Sequence, residues 1–173
     1  MNIDEFIPLN LAVLTVSDTR TEETDTSGKL LADKIKQAGH HLIAKQIVAD
    51  EVSHIRSVLS DWISTDSTHG IIVTGGTGFS KRDSTPEAVN VLFDKEVLGF
   101  GELFRQLSYA DIGSSTIQSR AFAGFANNTI IFCVPGSTGA CELAWEKIIK
   151  EQLDSRHRPC NFATLVARDS LPH

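Results

Sequence analysis

Short apolar runs alternate along the chain with segments in which apolar residues recur every three or four positions. The runs Leu11–Val16, His41–Val48, Gly70–Thr74 and Thr129–Val134 have the length and composition of strands. The segments between them carry the stripes of amphipathic helices. Apolar strands separated by such helices predict a mostly parallel sheet that is covered on both faces. We therefore expect one α/β domain over residues 1–173, a three-layer α/β/α sandwich.

Two segments leave their local structure open. Ser84 and Glu87 have the spacing of a capping box, whereas Thr85-Pro86 would place an N-cap before a proline at the first helical position. Residues 99–126 favour helix, most clearly in GFGELFRQLS. A helix is expected to begin near Ser84 in either case.

The charge balance excludes some classes of function. Sixteen lysines and arginines against 22 acidic residues give a formal net charge of −6, which argues against general nucleic-acid binding. The sequence contains neither the apolar run of about 20 residues that a membrane helix needs nor a secretory signal, so we expect a cytoplasmic protein without a membrane partner. The three cysteines lack CxxC spacing and the six histidines lack metal-site spacing.

Candidate chemistry follows the predicted strands. Ser17-Asp18, Asp50-Glu51, the loop Gly75–Gly78 and the turn Pro135–Ser137 each come directly after a strand. Because the carboxyl ends of parallel strands meet at one edge of a sheet, these segments are expected to lie together. Glycines, hydroxyls and carboxylates suit a phosphorylated ligand bound through backbone N–H groups and a divalent cation. The glycine loop is neither GxGxxG nor a Walker loop.

Each of these residues also has a purely structural explanation. The glycine loop could be a tight strand-to-helix turn, and Asp83 could serve the dipole of the next helix. Asp50 could cap the second helix. Arg82, Arg105 and Arg120 could be solvated surface charges. The functional interpretation depends on the coincidence of the two acids with the glycine loop at one edge.

Four sequence blocks carry a family resemblance. The segments TGGTGFSKRDSTPEA at 74–88, GFGELFRQLS at 99–108, SRA at 119–121 and VPGST at 134–138 resemble, in order, those of the MoaB/MogA-type molybdopterin-binding proteins, a family that includes the gephyrin G domain. The likeness extends from AVLTVSD to the last helix. AGHH and RHRPCNF are more similar to the MoaB branch. The resemblance implies a Rossmann-like molybdopterin-binding fold and a role in molybdenum-cofactor biosynthesis.

The resemblance also implies a reaction and a site. Active family members transfer AMP from Mg-ATP to the terminal phosphate of molybdopterin and release pyrophosphate. Asp50 and Asp83 match the catalytic acids and would hold Mg²⁺. The positions that would contact molybdopterin or ATP are Ser17, Asp18, Thr74, Gly75, Gly76, Thr77, Gly78, Glu102, Arg105, Ser119, Arg120, Pro135, Gly136 and Ser137.

Other functions compatible with the resemblance remain open. A MoaB-type protein could bind molybdopterin or a precursor without catalysing transfer, although Asp50 and the intact RDSTPE run favour an enzyme. A nicotinamide-nucleotide hydrolase of the competence-protein type is a third possibility, against which the absence of a second domain counts. The family implies a homo-oligomer, a trimer or a hexamer, and contact with other molybdenum-cofactor biosynthesis proteins.

Overall fold

A mixed sheet forms the centre of the computed structural model, which describes residues 5–167. Its strand order is β2-β1-β3-β6-β5-β4. The first four of these strands are parallel, whereas β5 runs antiparallel to both β6 and β4. The strands are β1 (Asn10–Val16), β2 (His41–Val48), β3 (Gly70–Thr74), β4 (Lys95–Glu96), β5 (Phe122–Ala126) and β6 (Thr129–Val134).

Helices connect the strands and cover the sheet. A π-helical turn, Trp145–Ile149, joins α5 to α6, and 3₁₀ turns follow α3 and α4. Within residues 5–167, no helix combines the length and apolarity needed to cross a membrane. The helices are α1 (Thr26–Gln37), α2 (Val52–Ile63), α3 (Thr85–Val89), α4 (Leu98–Ile112), α5 (Thr138–Ala144), α6 (Lys150–Gln152) and α7 (Ala163–Val166).

Two apolar cores lie on opposite faces of the sheet. Alternate residues of β1 divide between them, so that Leu11 and Val13 enter one core while Ala12 and Leu14 enter the other. Helices α1, α4 and α5 cover the first core, and α2 and α3 cover the second. The predicted α/β/α sandwich with a mostly parallel sheet is confirmed.

The start of α3 combines features of both predicted caps. Ser84 occupies the N-cap position and Pro86 lies in the first turn, but the Ser84 side chain makes no capping hydrogen bond. Its hydroxyl donates instead to Asp50. A capping box is therefore absent, because a tertiary partner takes the side chain that would have formed it.

The helical prediction for residues 99–126 holds only in part. The segment Leu98–Gln118 is α4 followed by a 3₁₀ turn, but Phe122–Ala126 is a strand that pairs with β6. A two-residue turn joins these strands, with φ of 46° at Asn127 and 62° at Asn128. Such positive values are typical of tight hairpin turns. Pairing with the sheet and burial against it override the helical pattern that precedes the strand.

Candidate active site

The loop after β3 makes a turn that only glycine fits well. Gly75 has φ of +103°, and a Cβ there would lie 2.2 Å from the carbonyl oxygen of Val16. Its N–H donates to Val134 O at 3.0 Å, which ties the loop to the end of β6. The Thr85 hydroxyl donates to Gly75 O at 2.7 Å. These contacts fix the glycine loop against the carboxyl edge of the sheet.

The glycine loop forms one wall of a cleft of about 480 Å³ at this edge. The turn after β6 and the inner side of α4 form the facing walls. Both sequence-predicted acids, Asp50 and Asp83, line the cleft. The remaining lining residues are Val16, Gly75, Gly76, Thr77, Gly78, Phe104, Ser108, Ile112, Ser115, Gln118, Ser119, Pro135, Gly136, Ser137 and Ala140.

Asp50 is buried at the end of β2 and is held on two sides. Its Oδ1 accepts a hydrogen bond from the Ser84 N–H at 3.0 Å and another from the Ser84 hydroxyl. Its own N–H donates to Asp18 Oδ1 at 3.0 Å. A Cβ on Gly76 would lie 2.7 Å from Asp50 Oδ2. The second glycine of the loop is thus what admits this carboxylate beside the loop.

Asp83 lies beside Gly78, the last glycine of the loop. Its Oδ2 accepts the Ser80 N–H at 2.8 Å, and its own N–H donates to Ser80 O at 3.0 Å. A Cβ on Gly78 would lie 2.8 Å from the same carboxylate oxygen. At each acid, therefore, a side chain on the adjacent glycine would come closer to the carboxylate than ordinary contact allows. One oxygen of each carboxylate accepts a backbone N–H.

The donor set of these two carboxylates is of the kind that Mg²⁺ uses at phosphate-transfer sites. Within residues 5–167, no group of three or more histidine, cysteine, aspartate or glutamate side chains could enclose a metal. Mg²⁺ in phosphate-transfer sites uses one or two carboxylates and completes its shell with phosphate oxygens and water. Asp50 Oδ2 and Asp83 Oδ1 are the carboxylate oxygens not engaged by Ser84 or Ser80. The residues present suit that partial coordination and not a structural metal cage.

An ion-pair network joins three of the loops beside the cleft. Arg82 donates from Nε and Nη2 to the two carboxylate oxygens of Asp18, each at 2.8 Å, and from Nη1 to Glu51 at 2.8 Å. The hydrogen bonds from Arg82 lower the pKa of Asp18 to about 2, and Asp18 in turn raises the pKa of Arg82. Since Asp18 also accepts the Asp50 N–H, this network positions the backbone of Asp50.

Six predicted contact residues lie outside the lining of the cleft, and four of them are Ser17, Asp18, Thr74 and Glu102. Asp18 belongs to the ion-pair network, and the Ser17 hydroxyl accepts the N–H groups of the following loop at 3.0 and 3.2 Å. Thr74 is fully buried, and its hydroxyl donates to Pro135 O at 3.0 Å. Glu102 is exposed on α4. Through this hydrogen bond Thr74, at the end of β3, joins the glycine loop to the turn after β6.

Arg105 and Arg120 face a neighbouring cavity of about 580 Å³. Ser119 lines both this cavity and the cleft, so the two are adjacent. Arg105 donates to Ala121 O at 2.8 Å and to Ser119 O at 3.3 Å. Arg120 donates from Nε to Gly78 O of the glycine loop at 2.9 Å. The structure thus places these arginines beside the cleft, with donors engaged by backbone carbonyls.

The turn after β6 closes the cleft next to the glycine loop. A Cβ on Gly136 would lie 3.3 Å from the Gly75 Cα, so the two loops touch through backbone atoms. The Ser27 hydroxyl of α1 donates to Gly136 O at 2.8 Å. The Ser137 side chain caps α5 by accepting the Ala140 N–H at 3.2 Å. The predicted Pro135–Ser137 turn therefore lies in the cleft with its backbone fixed.

Sequence reasoning missed the wall that α4 contributes. Phe104, Ser108 and Ile112 line the cleft and recur at intervals of four residues on that helix. Their helical spacing is the signal that could have identified this face. Ser115 and Gln118 extend the wall through the 3₁₀ turn.

Comparison with known proteins identifies the family to which this cleft belongs. The family described as "Probable molybdopterin binding domain" matches residues 12–155, a span that contains both acids and every loop of the cleft. The chain belongs to the molybdopterin-binding domain family. The resemblance inferred from the four sequence blocks is confirmed.

Relatives within the molybdopterin-binding family are closely similar over most of their length. Molybdenum cofactor biosynthesis protein B of Escherichia coli (strain K12) is 56% identical over 158 residues, which cover 91% of this chain and 93% of the relative. The protein of the same name from Bacillus subtilis (strain 168) is 51% identical over 143 residues, with coverage of 82% and 84%. These MoaB relatives are molybdenum cofactor biosynthesis proteins.

A solved structure of the family has the same fold. The crystal structure of a molybdenum cofactor biosynthesis protein B superimposes with a TM-score of 0.85 at 39% identity. The alignment covers 95% of this chain and 97% of that one. The architecture described above is therefore the molybdopterin-binding fold.

Proposed function

We propose that this chain acts in molybdenum-cofactor biosynthesis by transferring AMP from Mg-ATP to the terminal phosphate of molybdopterin. The observation that carries the proposal is that Asp50 and Asp83 line the same cleft, beside Gly76 and Gly78 of the glycine loop. The names of the MoaB relatives support the pathway, and the cleft supports the phosphate chemistry.

The proposed transfer exchanges one phosphorus–oxygen bond for another. An oxygen of the molybdopterin phosphate attacks the α-phosphorus of ATP and forms the new bond. The bond from the α-phosphorus to the oxygen that bridges to the β-phosphorus breaks, and pyrophosphate leaves with that electron pair. Because the substrate phosphate is the nucleophile, the protein needs no Ser-His or Cys-His pair.

The chain contributes positioning and electrostatic stabilisation to such a transfer. Gly75–Gly78 and the Pro135–Ser137 turn line the cleft largely with backbone, which allows close approach of phosphate oxygens. Asp50 and Asp83 would hold Mg²⁺, which neutralises charge on the nucleotide phosphates when bound. The hydrogen bonds from Ser84 and Ser80 hold the two carboxylates in place before the substrates arrive.

The alternative is a MoaB-type protein that binds molybdopterin or its precursor without transfer. The same cleft would serve binding alone, since the glycine loop and the α4 wall need no metal to hold a pterin. Two acids converging on one cleft are unnecessary for a pure binder of a phosphorylated pterin, because they repel its phosphate. This electrostatic cost favours the enzyme.

The direct test is incubation of the protein with Mg-ATP and molybdopterin, with pyrophosphate and adenylyl-molybdopterin as readouts. We expect both products with Mg²⁺ present and neither in excess EDTA. Asp83→Asn should abolish transfer, because the amide can still accept the Ser80 N–H but carries no charge for the ion. Asp61→Asn, on the exposed face of α2, is the matched control and should retain activity. Tight pterin binding by wild type without either product would establish the binding-only alternative.

A homo-oligomer is part of the proposal. Val91, Leu98 and Ile117 are 67%, 68% and 74% exposed. Val91 and Ile117 line the cavity of Arg105 and Arg120, and Leu98 lines a smaller cavity that Arg105 also lines. Large apolar side chains grouped in this way are typical of protein interfaces. A second copy of the chain is the occupant that the family resemblance implies.

A further inference from the structure

Arg120 contacts both ends of the segment Gly78–Asp83, which begins at the last residue of the glycine loop. Its Nε donates to Gly78 O at 2.9 Å, and its Nη2 donates to Asp83 O at 2.9 Å. Its backbone N–H donates to Thr77 O at 3.0 Å. We propose that Arg120 is a positioning residue that closes the loop Gly78–Asp83 and thereby sets the place of the Asp83 carboxylate.

The guanidinium is itself held in the orientation that these bonds require. Its Nη1 forms an ion pair with the Glu87 carboxylate of α3, and its Cζ lies 5.0 Å from the centre of the Phe79 ring. The hydrogen bond from Arg120 lowers the pKa of Glu87. The Arg120 side chain is only 25% exposed. All three guanidinium nitrogens thus donate to acceptors of the protein.

These contacts link two sequence blocks that lie far apart in the chain. Thr77, Gly78, Asp83 and Glu87 belong to the TGGTGFSKRDSTPEA block, whereas Arg120 belongs to the SRA block. Closing a loop by two bonds to one rigid, planar group restricts the conformations of the residues between them. The family resemblance implied that Arg120 contacts substrate. In the structure its guanidinium instead donates to the carbonyl oxygens of Gly78 and Asp83, at the two ends of the segment that contains the Asp83 side chain.

A lysine cannot reproduce this arrangement. Its ammonium could keep the ion pair with Glu87, but a single nitrogen cannot donate in the plane to both Gly78 O and Asp83 O while also pairing with Glu87. Arg120→Lys therefore preserves the charge and removes the loop closure. If Arg120 served only as a positive charge for a phosphate, the lysine variant would keep most of its function.

The test is hydrogen exchange of the ligand-free protein, followed for peptides that cover residues 76–85. In Arg120→Lys we expect the Ser80, Asp83 and Thr85 amides to exchange about tenfold faster. Each charge-assisted hydrogen bond favours the closed over the open conformation of the loop by at least about that factor, and the variant loses such bonds. Arg156→Lys is the matched control, because Arg156 pairs with Asp154 at 2.8 Å away from the cleft. Unchanged exchange in residues 76–85 of Arg120→Lys would overturn the proposal.

A second readout connects the loop to catalysis and rests on the proposed function. In Arg120→Lys we expect kcat to fall about tenfold with little change in KM for ATP, and the half-activating Mg²⁺ concentration to rise. A higher KM with unchanged exchange would instead assign Arg120 to substrate contact. If wild type transfers no AMP, the proposed function fails, but the exchange experiment still decides the role of Arg120.

Discussion

Asp50 and Asp83 contribute differently to the folded chain, although both face the same cleft. Asp50 is 8% exposed, accepts two hydrogen bonds from Ser84, and donates its N–H to Asp18. Asp83 is more exposed than Asp50, and its carboxylate accepts one hydrogen bond, from the backbone N–H of Ser80 in the same loop. The bonds of Asp50 join segments that are distant in sequence, whereas the bond of Asp83 is local. Loss of the two side chains should therefore have unequal effects on stability.

We expect Asp50→Ala to lower the free energy of unfolding by about 2–3 kcal/mol and Asp83→Ala by about 1 kcal/mol or less, from the usual strength of hydrogen bonds to charged groups. Urea unfolding followed by circular dichroism measures both values. Both variants should lose AMP transfer. Asp83→Ala should therefore lose its activity while keeping nearly all of its stability. Equal destabilisation would contradict the different hydrogen bonding of the two acids.

His40 lies at the edge of the sheet opposite the cleft, and its protonation makes the stability of the fold depend on pH. Its Nδ1 accepts the Leu9 N–H at 3.1 Å, and its ring lies 5.1 Å from that of Phe6. Burial lowers the pKa of His40 to about 4, with Asp154 raising it and His41 lowering it further. A protonated imidazole could not accept the Leu9 N–H, so this hydrogen bond adds to the effect of burial in favouring the neutral form.

The sign of the pH dependence follows from this lowered pKa. Between pH 6.5 and 4 the unfolded chain binds a proton at His40 that the folded chain does not, so stability falls as the pH falls through this window. The expected slope from this residue approaches about 1.4 kcal/mol per pH unit. Urea unfolding at pH 7, 6 and 5 measures it. His40→Asn, whose amide oxygen can accept the Leu9 N–H, should show a shallower slope; an unchanged slope would assign the dependence to other groups.

At the scale of elements, the backbone geometry of the loop after β3 requires glycine at position 75. We expect Gly75→Ala to destabilise the fold by at least about 2 kcal/mol, because φ of +103° and a contact of 2.2 Å to Val16 O both oppose a side chain. Gly139→Ala in α5 is the matched control, since a Cβ there meets no atom within 4 Å. It should stabilise the protein by about 0.5 kcal/mol through helix propensity. Thermal unfolding of both variants checks the pair, and a tolerated Gly75→Ala would contradict the backbone geometry described here.

The β5–β6 hairpin shows where element prediction failed. Phe122–Ala126 is short, contains a glycine and two alanines, and lacks the run of branched residues that marked the other strands. Its strand conformation depends on pairing with β6 across Asn127 and Asn128. Asn127 also donates its side-chain N–H to Ile63 O at 2.7 Å, a contact with the end of α2. The adjacent asparagines were the local signal of this turn.

At the scale of the whole molecule, the phenylalanines divide between the core and the surface. Phe100 and Phe104 are buried within the chain, whereas Phe79 is 68% exposed. The exposed apolar side chains Val91 and Ile117 lie at the neighbouring cavity instead. Burial in the monomer therefore accounts for Phe100 and Phe104, and the surface near Ile117 is the candidate interface.

We expect sedimentation velocity to show a trimer or hexamer for wild type and smaller species for the double variant Val91→Asp and Ile117→Asp. Charges placed in an apolar contact between identical copies cost desolvation and repel one another. Leu165→Asp, which is 45% exposed on α7, is the control for an added surface charge and should not change the assembly. A monomeric wild type would refute the oligomer.

The sequence by itself determined which segments form the parallel strands, where the glycine turns lie, and that Asp50 and Asp83 come to one edge. The spacing of apolar residues indicates which positions of a helix or strand are buried, and so it identifies the elements. Because parallel strands end at the same edge of the sheet, the residues that follow them come together there. Only the tertiary structure decided that Arg82 joins Asp18 to Glu51, that α4 walls the cleft, and that Arg120 holds the Asp83 loop. Those contacts join segments tens of residues apart. Their partners depend on how distant elements pack, which no local pattern of hydrophobic and polar positions encodes.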